Sequence, residues 1–217
     1  FPYRRSSDLV GAIGNNNLGV VGVNWNVKMI PVKVLGSDGY GSVEDVIAGV
    51  NYVANLISQG YNIRALNLSL ATYSRMTPTH DNLVQVPLWR AFKTIDDYNK
   101  AIIIVAAGNE AVAVGRPTTR KYYEGGELIY TPGCYVYPAS FTGLNNMLSV
   151  SASDTSGELA TYSNINADIT APGGDYNYDR SLILSTWPQS GTNSITYEGV
   201  SLEGLQGTSM ASPHVTG

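Results

Sequence analysis

The alternation of elements along this chain predicts an α/β domain built on a parallel sheet, and three observations carry that prediction. A stretch with apolar residues spaced i, i+3, i+4, i+7 lies between two β-rich runs, a second helical stretch follows, and the apolar run Ala101–Ala107 (AIIIVAA) comes next. A short, continuous apolar strand of that kind is buried on both faces of a sheet. Strand, helix, strand, helix, strand is the pattern of parallel pairing through crossover helices. Sheets of this class place their ligands beyond the carboxyl ends of the strands, so chemistry is expected just after each one.

Taken in order, Val27–Leu35 (VKMIPVKVL) is rich in β-formers, although Pro31 removes one ladder donor and points to an edge or an irregularity. Ser42 caps a helix whose apolar positions are Val43, Val46, Ile47, Val50, Val53, Ala54 and Ile57, and Gly60 stops it. Ala65–Leu70 (ALNLSL) is the second strand, Val86–Lys100 the second helix, Ala101–Ala107 the third strand and Met147–Ala152 the fourth. Thr72–Gln85 and Ala111–Gly133, rich in Gly, Pro, Tyr and Thr, are expected as long surface loops of the kind that shape a site.

Composition narrows the function classes. At 217 residues the chain is one domain in size, with a net charge of -4 and no Lys/Arg stripe, which argues against a nucleic-acid partner. No apolar run approaches the roughly 20 residues that span a bilayer, so no membrane role is expected. The single cysteine, Cys134, rules out a scaffold of internal disulfides.

The strongest chemical signal is Gly207-Thr208-Ser209-Met210-Ala211-Ser212-Pro213-His214-Val215. It sets a serine where a glycine-led turn enters a helix, at the positive end of the helix dipole and among backbone N–H groups able to meet an oxyanion. The string resembles the nucleophile motif of the subtilase family of serine proteases, and the resemblance continues upstream in order. Val105-Ala106-Ala107-Gly108-Asn109-Glu110 resembles the segment presenting that family's oxyanion-hole Asn, and Asn67-Leu68-Ser69-Leu70-Ala71 the strand lining one wall of the S1 pocket. Val32–Gly41 is similar to the strand and edge that pair with the substrate backbone, while Tyr137-Pro138-Ala139-Ser140 and Ala171-Pro172-Gly173 match lesser landmarks.

The resemblance implies a three-layer, subtilisin-like fold, incomplete here at both ends, with residues 10–217 as part of the catalytic domain. It makes Ser209 the nucleophile and Asn109 the donor to the tetrahedral oxyanion. Gly39, Tyr40 and Gly41 become the edge that adds the substrate as a strand. Ser69, Leu70, Ala71, Ala106, Ala107 and Gly108 become walls of the pocket. Tyr40 reads equally as the wall of an apolar subsite or as a surface aromatic, and Ala71 replaces the family's usual Gly. Ile13–Val20 resembles the family's calcium loop, with the carbonyls of Gly14, Leu18 and Val20 and the Asn16 amide oxygen as ligands. An ordinary Asn/Gly turn is the equal alternative, because Ca²⁺ takes six to eight oxygens and usually a carboxylate. No cofactor is expected for catalysis. The partners implied are protein or peptide substrates and the protein's own propeptide, and the protein is expected to be a monomer, secreted or at the cell surface.

The chain departs from the family at its start. The triad order is Asp, His, Ser, and the Asp strand belongs upstream of everything present. Where the family's His motif belongs, the chain has Arg5-Ser6-Ser7-Asp8-Leu9-Val10-Gly11, and an Arg cannot accept a proton. His214 takes a structural position on the nucleophile helix, and His80 is expected in a surface loop. Two readings stand: residues 1–9 are foreign junction sequence on a fragment, or the protein is a noncatalytic peptide-binding pseudoenzyme. Either way the chain alone is expected to be poorly stable and to have little activity. Two unpaired inner sheet edges are expected where the Asp strand would lie.

Overall fold

A computed structural model describes residues 6–83, 86–124, 126–178, 180–186, 195–197 and 200–217. In chain order the elements are α1 (Ser6–Gly11), α2 (Val43–Ser58), β1 (Ala65–Leu68), β2 (Thr72–Ser74), α3 (His80–Leu83), α4 (Pro87–Tyr98), β3 (Ile102–Ala106), β4 (Thr118–Glu124) and β5 (Glu127–Tyr137). They continue with β6 (Met147–Ser153), β7 (Ile169–Pro172), β8 (Ile183–Thr186), β9 (Ile195–Tyr197), β10 (Val200–Leu205) and α5 (Thr208–Thr216). The central sheet is parallel, in the order β1-β3-β6-β7, with Leu66 opposite Ile103 and Val105 opposite Ser149.

Three layers follow from the side-chain alternation of β3. Ile103 and Val105 point to one face, where they pack with Val50, Ile57, Trp89, Phe92 and Ile95 of α2 and α4. Ile104 points to the other, where it packs with Val150, Ala152, Ala171 and Ala211 of α5. A strand buried on both faces must be apolar throughout, which is why Ala101–Ala107 reads as an unbroken run.

The helices begin where their chemistry allows. The Ser42 hydroxyl accepts from Asp45 N–H at 3.0 Å while the Asp45 carboxylate accepts from Ser42 N–H at 3.3 Å, a reciprocal capping box. α4 opens with Pro87, whose missing N–H costs nothing in a first turn, and ends on Asn99 in the left-handed conformation, φ 49°.

Two expectations need correction. Val27–Leu35 is not a strand: among the described residues no neighbour takes up its ladder bonds, and β-propensity without a partner does not make a sheet. Its second half still packs on the helices, with Val32 and Val34 against Gly49 of α2, while Val27, Met29 and Ile30 are exposed. Among the described residues β1 therefore has β3 as its one partner in the central sheet. The two stretches expected as loops hold structure too. Thr72–Gln85 contains β2 and α3, anchored by fully buried Leu83, and residues 111–133 contribute β4 and most of β5. These last two strands form a hairpin in which Glu124 faces Glu127, and Gly126 takes φ +88°. The Gly125-Gly126 pair between β-rich runs is a hairpin signal that the loop-like composition outweighed.

Candidate active site

The site forms where β1 and β3 end and α5 begins. Gly207 precedes α5 with φ 143° and ψ 158°, a region that only glycine occupies without strain. This turn presents Ser209, 8% exposed, in the first turn of the helix. The Thr208 N–H donates to Asn109 Oδ1, and the Met210 and Ala211 N–H groups donate to Gly207 O. Among the described residues no acceptor takes the Ser209 N–H. That donor sits at the positive end of the helix.

Asn109 follows β3 through Gly108, whose φ of +107° lets the chain turn beneath the site. A Cβ on Gly108 would lie 2.4 Å from both the Asn164 amide nitrogen and a Glu110 carboxylate oxygen. The Asn109 Oδ1 accepts from the Thr208 N–H and from the Thr208 hydroxyl, each at 3.0 Å. A backbone N–H can only donate, so this contact fixes the orientation of the amide, and among the described residues Nδ2 is left as a donor without a partner. The Thr208 hydroxyl in turn accepts from Gly108 N–H at 3.1 Å. Sequence reasoning named Ser209 and Asn109 but missed Thr208, the residue that joins them.

The Ser69 position has a physical logic of its own. Pro213, inside α5, has no N–H to give the carbonyl of Ser209 four residues back. The Ser69 hydroxyl donates to that carbonyl instead, at 2.8 Å, and Ser209 Oγ donates to Ser69 O at 3.3 Å. Asn67 Nδ2 donates to Ser69 Oγ, while the hydroxyls of Ser212 and Thr216 both donate to Asn67 Oδ1. These bonds fasten α5 to the end of β1.

The remaining expected residues fall as follows. Ala106, Ala107 and Gly108 are buried at the end of β3, Leu70 is half-buried after β1, and Ala71 is exposed just before β2. Gly39, Tyr40 and Gly41 lie in an exposed turn before α2, with Tyr40 70% exposed; there Gly36 N–H donates to Tyr40 O and Tyr40 N–H to Asp38 Oδ1. Gly14, Asn16, Leu18 and Val20 share one loop, in which Asn16 Oδ1 accepts from Leu18 N–H at 3.1 Å. Their four neutral oxygens suit Ca²⁺ in kind but not in number or charge, and among the described residues no cluster of three or more His, Cys, Asp or Glu is placed to hold a metal. His214 Nδ1 bonds Met210 O at 2.8 Å within α5. His80 opens α3 rather than a loop. Arg5 lies outside the described residues.

This layered fold matches solved subtilisin-like proteases. The chain superposes on a cold adapted subtilisin-like serine proteinase with a TM-score of 0.61 at 24% identity, covering 98% of this chain and 57% of that one. For the epidermin leader peptide processing serine protease of Staphylococcus aureus the TM-score is 0.66 at 23% identity, over 97% of this chain and 50% of that one. The sequence settles the family. The model of the subtilase family, Peptidase_S8, matches residues 7–217, and the chain belongs to that family. It is 32% identical over 215 residues to an extracellular protease of Xanthomonas campestris pv. campestris, covering 96% of this chain and 30% of the relative. It is 29% identical over 205 residues to subtilisin Savinase of Lederbergia lenta, covering 94% of this chain and 56% of the relative. The chain thus spans about a third to a little over half of these relatives. Among the described residues no helix is long and apolar enough to cross a membrane.

Proposed function

We propose that the protein carrying this chain is a serine endopeptidase that hydrolyses peptide bonds through an acyl-enzyme on Ser209. The observation that carries the reading is the convergence of Ser209 and Asn109 through Thr208. A nucleophilic hydroxyl and two donors, the Ser209 N–H and Asn109 Nδ2, lie together at one helix N-terminus. Attack of Ser209 Oγ on a scissile carbonyl would move negative charge onto its oxygen, where these donors stabilise it more in the transition state than in the substrate. In subtilisin itself, loss of the corresponding Asn lowers turnover by about 10²–10³.

A serine hydroxyl is a weak nucleophile at neutral pH and needs a base. The hydroxyl of Ser209 here meets a backbone carbonyl, and His214 is engaged within its own helix, so the base and its orienting carboxylate have to come from segments outside the described residues. The chain by itself is then inactive, and the Gly39–Gly41 edge, if it pairs with substrate, still binds peptide. We extend to this protein the extracellular setting that the Xanthomonas relative's name states, a propeptide partner, a monomeric state, and a calcium loop at Gly14–Val20 completed by oxygens from elsewhere.

The test is peptide hydrolysis by the full-length gene product, with the gene re-read across residues 1–11. Hydrolysis abolished by Ser209→Ala, with an Asp strand and an His motif upstream, supports the protease. Confirmation of Arg4-Arg5-Ser6-Ser7-Asp8 in the gene, with peptide binding but no hydrolysis, supports the pseudoenzyme instead.

A further inference from the structure

We propose that Asn164 is a positioning residue that holds the turn carrying Asn109, and that Tyr73 and Glu110 complete the brace. Asn164 is 1% exposed and lies in the segment between β6 and β7. Its side chain has one acceptor oxygen and two donor hydrogens, and the structure uses all of them on one turn. Oδ1 accepts from the N–H groups of Glu110 and Val112, each at 3.1 Å. Nδ2 donates to Ala107 O at 2.8 Å and to the Glu110 carboxylate at 2.7 Å. The side chain therefore grips the turn on both sides of Asn109, at residues 107, 110 and 112. The backbone extends the grip: Asn164 N–H donates to Gly108 O, Ala111 N–H to Tyr162 O and Ile165 N–H to Val112 O.

Glu110 is held from the opposite direction as well. The Tyr73 hydroxyl in β2 donates to its carboxylate at 2.5 Å, and Arg120 of β4 lies 5.7 Å over the Tyr73 ring. Burial first, then the bond to Glu110 and its charge, push the Tyr73 phenol well above its usual range, so it stays a donor across ordinary pH. A carboxylate taking one donor from Tyr73 and one from Asn164 keeps Glu110 turned against Gly108.

Such a turn needs bracing, because Gly108 and Ala111 both adopt left-handed backbone, φ +107° and +54°. Left free, the segment would relax and carry Asn109 with it, and a displacement of about 1 Å at a catalytic group costs up to about 10²-fold. The brace resembles no local motif, because Asn164 and Tyr73 reach Glu110 from 54 and 37 residues away in sequence.

This inference rests on the protease reading, and its test separates the two. In the full-length protein, kcat and KM for a peptide substrate are measured for Asn164→Ala, Tyr73→Phe, Asn109→Ala and the Asn164→Ala/Asn109→Ala double variant. The brace predicts a fall in kcat of at least tenfold for Asn164→Ala with KM within about twofold. It predicts a smaller fall of the same kind for Tyr73→Phe, which keeps the ring. In the Asn109→Ala background the Asn164→Ala effect should shrink to less than threefold, since the residue acts through Asn109. Equal, multiplicative losses in both backgrounds would overturn the proposal. Should Asn164→Ala fail to fold, Tyr73→Phe decides by the same cycle. Absence of hydrolysis by the unaltered protein would overturn the protease reading, and amide hydrogen exchange then judges the brace. Exchange at Glu110 and Val112 must accelerate in Asn164→Ala or Tyr73→Phe more than at Val150, and unchanged exchange there would overturn it.

Discussion

Thr208→Val isolates the bond that joins the turn carrying Ser209 to Asn109. Thr208 is 1% exposed, and its hydroxyl accepts from Gly108 N–H at 3.1 Å and donates to Asn109 Oδ1 at 3.0 Å. Valine has nearly the same shape, so no cavity opens. Gly108 N–H loses its acceptor in a buried site, which costs about 1–3 kcal/mol, and Asn109 keeps only the Thr208 N–H. The added methyl returns about 0.8 kcal/mol. The lost hydroxyl bond to Asn109 Oδ1 adds about 0.5–1.5 kcal/mol, so the net loss is about 1–4 kcal/mol, equivalent to roughly 2–15 °C in Tm for a domain of about 150–250 residues. Thermal melts followed by circular dichroism on the full-length protein supply the assay, with Thr208→Ser as control because it keeps the hydroxyl. A Val variant that melts within about 1 °C of the parent, or a Ser variant that behaves like Val, would refute the reasoning.

Other perturbations probe the scaffold. Phe92→Ala removes a fully buried ring that packs edge-on against Phe141 at 5.8 Å, and should cost about 3–5 kcal/mol in a urea titration. Ser42→Ala removes the α2 cap and should cost about 1 kcal/mol in the same experiment, with Ser42→Asp restoring most of it. Buried Asp175 has burial working to raise its pKa, but N–H donors from Thr161, Asn177 and Tyr178 outweigh it and bring the value below the usual 3.8. Its folded pKa is depressed, so its stabilisation is present above about pH 4 and fades as pH falls below the folded value. The Tm gap between the parent and Asp175→Asn should therefore be constant from pH 5 to 7 and narrow toward pH 3.

The layers of the fold were legible where burial is dictated by short-range pattern. The β3 run has no polar face because both of its faces are covered, and the α2 periodicity and cap are complete within sixteen residues. Val27–Leu35 misled because strand propensity describes a residue's fitness for a ladder and says nothing of whether a neighbour is there to build one. The β4–β5 hairpin was hidden by a loop-like composition despite its Gly-Gly connection. Within the site, Ser209 and Asn109 stand out in local strings of neighbours, and the structure links the two through Thr208. Thr208 was in plain view inside the same string, yet its role appears only once β3 and α5 meet. Asn164 and the Ser69 bond to Ser209 O depend on segments 54 and 140 residues apart, a distance over which pattern carries no information.

The central claim is that Ser209 is an activated nucleophile facing an oxyanion site, and fluorophosphonate labelling tests it most directly. The full-length protein is treated with the probe and digested, and the modified peptide is sequenced by mass spectrometry. The account predicts one label, on Ser209 in the Gly207–Val215 string, lost in Ser209→Ala and slowed at least tenfold in Asn109→Ala. A folded full-length protein that takes no label at Ser209, or labels equally fast without Asn109, would contradict it.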